Sequence, residues 1–311
     1  MVSLIKNFLK YVLPLPANSL LREIYELKKE IFSLRKEIIN LEKDILDTKD
    51  DIHNLGENIF ASEYKQQKQI AEIRDYLEKQ IGLRLINCSR YASEAVWAEI
   101  FNNTISGSNW LKNTAFSPGR WAVGYQYLYV MYRILNETNP KRILELGLGQ
   151  STKMISQYAL AHDDITHIVI EHDEEWVNFF KMNCDVSDCT EIIMLEREMV
   201  TYKEADAVRA FKDFEKTVSG RKFDFISIDA PLGGDMKQYA RIDILSILPK
   251  CLGEDFVIMI DDTERSGERK TIVEIEQCLK ESNIRYCCGT YSGKKDCVLI
   301  CAEHMSFLTS M

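Results

Sequence analysis

The chain has 311 residues, enough for about two domains of ordinary size. Apolar residues make up 46% and charged residues 28%, the balance of a chain with a sizeable core and not of a disordered one. Acids outnumber bases, 48 to 39, giving a formal net charge of −9 and a pI near 5.3. That argues against a nucleic-acid partner, whose phosphates call for a basic footprint, and favours a small molecule or a glycan.

Residues 2–13 read VSLIKNFLKYVL and stop at Pro14. On a helical wheel Ser3, Lys6, Asn7 and Lys10 share one narrow face, and Val2, Leu4, Ile5, Phe8, Leu9, Val12 and Leu13 cover the rest. Residues 1–16 are therefore expected to form a short amphipathic helix that either lies in a membrane interface or packs on protein. The chain is expected in the cytoplasm, and the first alternative places it peripherally at the inner face of the membrane. No apolar run reaches the roughly 18 residues needed to span a bilayer. The nine cysteines, an odd count without a C-x-x-C pair, suit a reducing compartment better than a disulfide framework.

Residues 18–85 carry a heptad. Ile24, Ile31, Ile38, Ile45, Ile52 and Ile59 recur every seven residues, with Leu20, Leu27, Leu34, Leu41 and Leu55 at the d positions between them. Thr48 and Ser62 are polar interruptions. Ile at a with Leu at d predicts a parallel two-stranded coiled coil, hence a homodimer. In that register Glu23 faces Lys28 of a second copy, Glu30 faces Arg35 and Asp44 faces Lys49, while Glu37 against Glu42 is repulsive. The alternative is an intramolecular helical hairpin turning at Gly56.

Residues 86–140 read as a helical lead-in or cap, with helices over 88–103 and 121–136. From 141 to 311 strands and helices alternate. Strands are predicted at Arg142–Leu146, His167–Glu171, Glu191–Leu195, Phe223–Asp229 and Asp255–Ile260, with helices filling the gaps, and a closing hairpin at Arg285–Tyr291 and Cys297–Ala302. This alternation predicts an α/β, Rossmann-like, doubly wound, mostly parallel seven-stranded sheet with one antiparallel strand.

The first strand runs into Glu145-Leu146-Gly147-Leu148-Gly149-Gln150-Ser151-Thr152. Glycines at this turn let the backbone approach a ligand at a helix start. An acid at the end of the next strand, Glu171, suits two ribose hydroxyls. A dinucleotide site asks for a third small residue where this chain has Thr152. Glu145 would repel a pyrophosphate and attract an ammonium or sulfonium group. With the terminal hairpin, the E-x-G-x-G-x-x-T arrangement resembles the class I S-adenosylmethionine-dependent methyltransferases over roughly residues 115–302. The resemblance implies that Glu145, Gly147 and Gly149 line the methionine end of the cofactor. It adds Gln150, Ser151 and Thr152 at the helix start, gives the ribose to Glu171, and sets Asp229 at the cofactor's edge.

Strand four ends in Asp229-Ala230-Pro231 and strand five in Asp261-Asp262-Thr263. Neighbouring parallel strands open onto one crevice, so Asp229, Asp261 and Asp262 are expected to converge, and three carboxylates together call for a cation or for protons. Hard oxygen ligands select Mg2+, Ca2+ or Mn2+. The placement is similar to the catechol and macrocin-type sugar O-methyltransferases, which implies a divalent ion that activates an acceptor hydroxyl. Where the catechol type has Asp-Asn, this chain has Asp261-Asp262. Asp229 or Asp262 is therefore open to a general-base role, with His172 as a third catalytic candidate. Arg120 and Trp121 after the Pro118-Gly119 turn, and Arg241 and Arg265 on loops beside the acids, are substrate candidates; balancing salt bridges are the other reading of the two loop arginines. His53, His162, His167 and His304 have no expected partner, and Cys287, Cys288 and Tyr291 read as strand core.

The resemblance implies methyl transfer to oxygen of a small acceptor, such as a sugar hydroxyl of a surface polysaccharide or its precursor. Three alternatives stay open: a catalytically inactive, methyltransferase-like scaffold organised by its coil, a nicotinamide oxidoreductase, and an N-methyltransferase that needs no metal.

Overall fold

A computed structural model describes Asn7, residues 15–119 and residues 122–311, with side chains from Ser19 onward. Most of the amphipathic segment expected over residues 1–16 lies outside the described residues, as do Arg120 and Trp121. The chain divides into two compact units at Gly82/Leu83.

The first unit is helical. Helix α1 (Leu15–Ile105) begins in it and is unbroken through Gly56, so the intramolecular hairpin is not adopted. Its many Leu, Glu and Lys residues all favour helix. The a-position isoleucines are between 44 and 68% exposed, and Leu27, Leu34, Leu41 and Leu55 between 55 and 64%. None of the described helices is long and apolar enough to cross a membrane.

The second unit takes in the last part of α1, where Phe101 and Ile105 are buried, followed by α2 (Tyr125–Thr138). Then come β1 (Arg142–Leu146), α3 (Gln150–Ala161), β2 (Thr166–Glu171), α4 (Glu174–Asn183) and β3 (Thr190–Met194). The chain continues through β4 (Arg197–Tyr202), β5 (Ala205–Phe211), α5 (Phe214–Val218), β6 (Phe223–Ile228) and β7 (Leu252–Ile260). It closes with α6 (Ser266–Glu281), β8 (Tyr286–Ser292) and β9 (Asp296–Ala302). Seven strands form one sheet in the order β3-β2-β1-β6-β7-β9-β8. The first five are mutually parallel and β9 runs antiparallel to β7 and β8. The inner strands are apolar on both faces because helices cover both. Ile143, Leu144, Ile168, Ile170, Phe225, Ile226, Ile258 and Met259 have no exposed surface.

Three details depart from the expectation. The helix predicted over 88–103 is the end of α1, and α2 starts at Tyr125, four residues later than predicted. Between β3 and β6 lies an antiparallel pair, β4 and β5, in a sheet of its own, where a helix was expected. Its two strands pair Val200 with Val208 and Met199 with Arg209. Half of that ribbon is buried only because Tyr239 and Ile242, distant in sequence, cover Ala205, Val208 and Ala210. Between β6 and β7 the described helix is a single 3-10 turn, Asp243–Ser246.

Asp243 anchors that turn to β5. It is 4% exposed, and its Oδ1 accepts from the Phe211 N–H at 2.6 Å while Oδ2 has no hydrogen-bond partner. Burial pushes its carboxyl up to about 7. The folded value then lies above the unfolded one of about 3.9, so its contribution is fully present below pH ~4 and is lost as pH rises through 7. Asp243→Asn keeps the acceptor and removes the buried charge. It should raise stability at pH 8 by on the order of 2 kcal/mol and leave it nearly unchanged at pH 4, as measured by denaturant melts at the two pH values.

Candidate active site

The carboxyl ends of β2, β1, β6 and β7 are tied to one another just past the strands. The N–H of Gly147 donates to the Ile170 carbonyl, that of Asp229 to Leu146 and that of Asp261 to Ile228, at 2.9, 2.9 and 3.0 Å. The chain leaves β1 toward β2 on one side and reaches β6 on the other, so the crevice above β1 is a topological switch point. Gly147 sits there at φ +101°, and a Cβ on it would lie 3.0 Å from the Ala230 Cβ, so only glycine fits. At Gly149 a Cβ would meet nothing within 4 Å: the backbone faces open space at the start of α3.

Glu171 braces this loop from β2. One carboxylate oxygen accepts from the Leu148 N–H at 3.0 Å, the other from the N–H groups of His172 and Asp173 at 2.6 and 3.1 Å. Trp176, on α4, donates from Nε1 to the Leu148 carbonyl at 2.8 Å, a support that the sequence reading missed. Across the mouth, the Gln150 side chain accepts from the Ser117 N–H, Gln157 accepts from the N–H groups of Lys112 and Asn113, and Lys153 donates to the Ala115 carbonyl. The segment before Pro118 is thus stitched along α3, beside the loop.

Two residues assigned to the cofactor by resemblance have other engagements. Thr152 is fully buried, and its hydroxyl accepts from the Gly149 N–H at 2.9 Å, capping α3 instead of facing a ligand. Glu145 is 1% exposed and is not a surface strand-end acid. Its Oε2 meets His167 Nε2 at 3.1 Å, and His167 Nδ1 in turn meets the Thr190 hydroxyl at 3.0 Å. The partner of His167, unassigned from sequence, is therefore Glu145. The other oxygen, Oε1, is buried with no hydrogen-bond partner.

At the ends of β6 and β7 the three aspartates converge, with one carboxylate oxygen of each inside a group 4.8 Å across. Three cations are woven among them. Arg241 Nη2 lies 3.0 Å from Asp229 and 2.6 Å from Asp262, and its Nη1 donates to the Asp261 carbonyl at 2.8 Å. Arg265 lies 2.9 Å from Asp262. Lys295 Nζ lies 3.0 Å from Asp261 Oδ2 and 3.2 Å from Asp262 Oδ1. Burial, reinforced by Asp229, pushes the Asp261 carboxyl up to about 8. Burial also raises Asp229. At Asp262 the charges of Arg241, Lys295 and Arg265 outweigh burial and hold the carboxyl below its ordinary range. Both Arg241 and Asp262 hold left-handed backbone, φ +59° and +60°, strain of on the order of 1–3 kcal/mol each that the ion network sustains.

The sheet order, with its antiparallel penultimate strand, is that of the class I methyltransferase fold. No family model and no curated protein matches the sequence. Solved structures do resemble the chain. One is an O-methyltransferase from Bacillus cereus in complex with SAH, 14% identical over 68% of this chain and 91% of that one, with a TM-score of 0.41. Another is the O-methyltransferase TomG from Streptomyces achromogenes in complex with SAM, 13% identical over 67% and 98%, with a TM-score of 0.43. A spermidine synthase bound to a transition-state analogue is 15% identical over 58% and 62%, with a TM-score of 0.38.

Set against the sequence expectations, Gly147, Gly149, Gln150 and Glu171 come together around the loop, while Ser151 is buried under it. Asp229, Asp261 and Asp262 meet as expected. His172 does not join them: its Nδ1 lies 2.7 Å from Glu171, at the end of β2 and two strands from Asp229. Arg241 is 2% exposed with its charge consumed by the acids, so it balances charge and is not free to grip a substrate. Arg265 remains one-third exposed but is shared between Asp262 and Glu268.

The residue missed outright is Lys295. It sits in the β8–β9 turn, which the sequence marks only as Ser292-Gly293-Lys294-Lys295-Asp296. Helix α1 holds that turn: Arg90 bridges to Asp296, Trp97 Nε1 donates to the Ser292 carbonyl at 2.8 Å, and Glu94 accepts from the Lys294 N–H. Gln126 of α2 donates to the Lys295 carbonyl at 3.0 Å. The donor set of the three aspartates suits a hard cation. However, each of them already gives an oxygen to a fixed cationic side chain, and the residues as arranged do not fit a divalent ion.

Proposed function

We propose that the chain is an S-adenosylmethionine-dependent O-methyltransferase acting on a hydroxyl of a small acceptor, a sugar unit of a surface polysaccharide or its precursor. The observation that carries the reading is the glycine loop at the switch point, one strand from Glu171 on one side and one from Asp229 on the other. Gly147 and Gly149 would let the cofactor approach the backbone, and Glu171 would receive the ribose. In the transfer the acceptor oxygen bonds to the methyl carbon as the carbon–sulfur bond breaks, with its electron pair left on sulfur. The hydroxyl proton passes to Asp229, the one carboxylate of the three with more than a trace of exposed side chain, 19%. A cavity of about 300 Å³ lined by Tyr91, Glu94, Pro118, Tyr125 and Lys295 could take a sugar ring, with the tyrosines supplying flat apolar faces. The sugar itself rests on the sequence resemblance. The scaffold alternative predicts no cofactor binding. Calorimetry with S-adenosylhomocysteine, followed by methyl-transfer assays on sugar nucleotides and glycan precursors, tests both. Absence of binding would retire the enzyme reading.

The exposed Ile/Leu seam of α1 supports a parallel homodimer through residues 18–85, with complementary g–e charges. Sedimentation should give twice the 36.1 kDa chain mass, and Ile38→Asp with Ile45→Asp should return the monomer. Interfacial attachment through residues 1–16 would show as co-flotation with anionic vesicles that is lost on deleting those residues.

A further inference from the structure

We infer that Lys295 is the resident cation of the acid cluster, an internal ammonium that holds the place of a divalent ion and makes one unnecessary. Its catalytic consequence rests on the methyltransferase reading; its placement does not.

Lys295 is 9% exposed, an uncommon location for a lysine on a hairpin turn. It bridges two of the three aspartates at hydrogen-bond distance. Arg241 takes an oxygen of Asp229 and, together with Arg265, the second oxygen of Asp262. Mg2+ asks for near-octahedral oxygens at about 2.0–2.1 Å, so a metal would have to displace both Lys295 and Arg241. Both are packed in place, Arg241 2% and Lys295 9% exposed. The Lys295 backbone is held by Gln126, and the turn around it by Arg90, Glu94 and Trp97. Counting Glu268, which is fully buried beside Arg265, four carboxylates face three cations without any ion being added.

An ammonium has three N–H donors. One goes to Asp261 Oδ2, and the ammonium lies 3.2 Å from Asp262 Oδ1 as an ion pair without a formed hydrogen bond, so donor capacity is left on a residue that lines the cavity with Tyr91, Pro118 and Tyr125. There it can donate to an acceptor oxygen as negative charge develops on it, the electrostatic part of what a metal supplies. Asp261 Oδ1, buried without a partner, is then the ligand that a true cation would recruit if Lys295 were gone.

The test is titration of the full-length protein with Mn2+ alone, read by electron paramagnetic resonance, which needs neither cofactor nor acceptor. The unmodified protein should show no site tighter than about 1 mM. Lys295→Ala should gain one site at least about tenfold tighter, and Lys295→Ala with Asp261→Asn should lose it. A site in the unmodified protein that disappears in Asp261→Asn would overturn the inference. So would a folded Lys295→Ala protein that binds no Mn2+, because the carboxylates would then form no cation site for Lys295 to fill. Lys295→Ser is the substitute if the alanine variant does not fold, and if neither folds the titration of the unmodified protein decides. S-adenosylhomocysteine calorimetry on the same samples keeps the two readings separate: its failure sinks the methyltransferase assignment and leaves the Mn2+ result standing.

Discussion

Replacing Gly149 by valine should weaken S-adenosylhomocysteine binding by at least about 100-fold, or ~2.7 kcal/mol, while the melting temperature falls by only a few degrees. The two effects separate because of where the added atoms go. Nothing lies within 4 Å of a Cβ at Gly149, and its φ of −174° lies outside the left-handed region that requires glycine. The stability cost is limited to a poorer residue at the start of α3, about 1 kcal/mol. The new methyls fill the open space in front of the loop, where a nucleoside would approach the backbone. Gly147→Val is the contrast. With φ at +101° and Ala230 at 3.0 Å, it should lose both stability and binding. Calorimetry and thermal melts on the two variants read out the difference. If Gly149→Val bound the ligand like the parent protein, the cofactor would not lie over this loop.

Arg241→Met should be the most destabilising single change at the site, by about 3–5 kcal/mol. The substitution removes the positive charge but keeps much of the volume. It strands Asp229 and Asp262, one buried and one largely so, and frees the Asp261 carbonyl of its donor. For a folding unit of this size the loss corresponds to a drop in melting temperature of roughly 10 °C. The deficit should shrink toward pH 5. A buried carboxylate that has lost its counter-charge has a folded-state value above its unfolded one, so stability rises as pH falls and the acids take up protons. A melt unchanged at pH 8 would mean that Lys295 and Arg265 suffice to hold the acids.

Much of this protein could be read along the chain. The heptad of Ile24 to Ile59 and the alternation from Arg142 onward are local periodicities, the first marking an apolar stripe along α1 and the second the strands of a buried sheet. The seven sheet strands accordingly lie within a few residues of their predicted places. The glycine loop was legible because a strand, a tight turn and a helix start are contiguous. The convergence of Asp229 with Asp261 and Asp262 followed from the rule that adjacent parallel strands end on one crevice.

Tertiary structure alone decided how those acids are balanced. Lys295 reaches them from a hairpin turn more than thirty residues away, placed by contacts with Arg90, Trp97 and Gln126 that no local pattern encodes. The β4–β5 ribbon is likewise half polar in sequence and becomes a sheet only under Tyr239 and Ile242. Glu145 shows the same limit, since its residue type fits a cofactor contact but its burial against His167 gives it a partner inside the sheet. Periodicity and turn chemistry specify elements because they act over a few residues. Charge pairing in a low-dielectric interior acts between whichever groups the fold brings within a few ångströms.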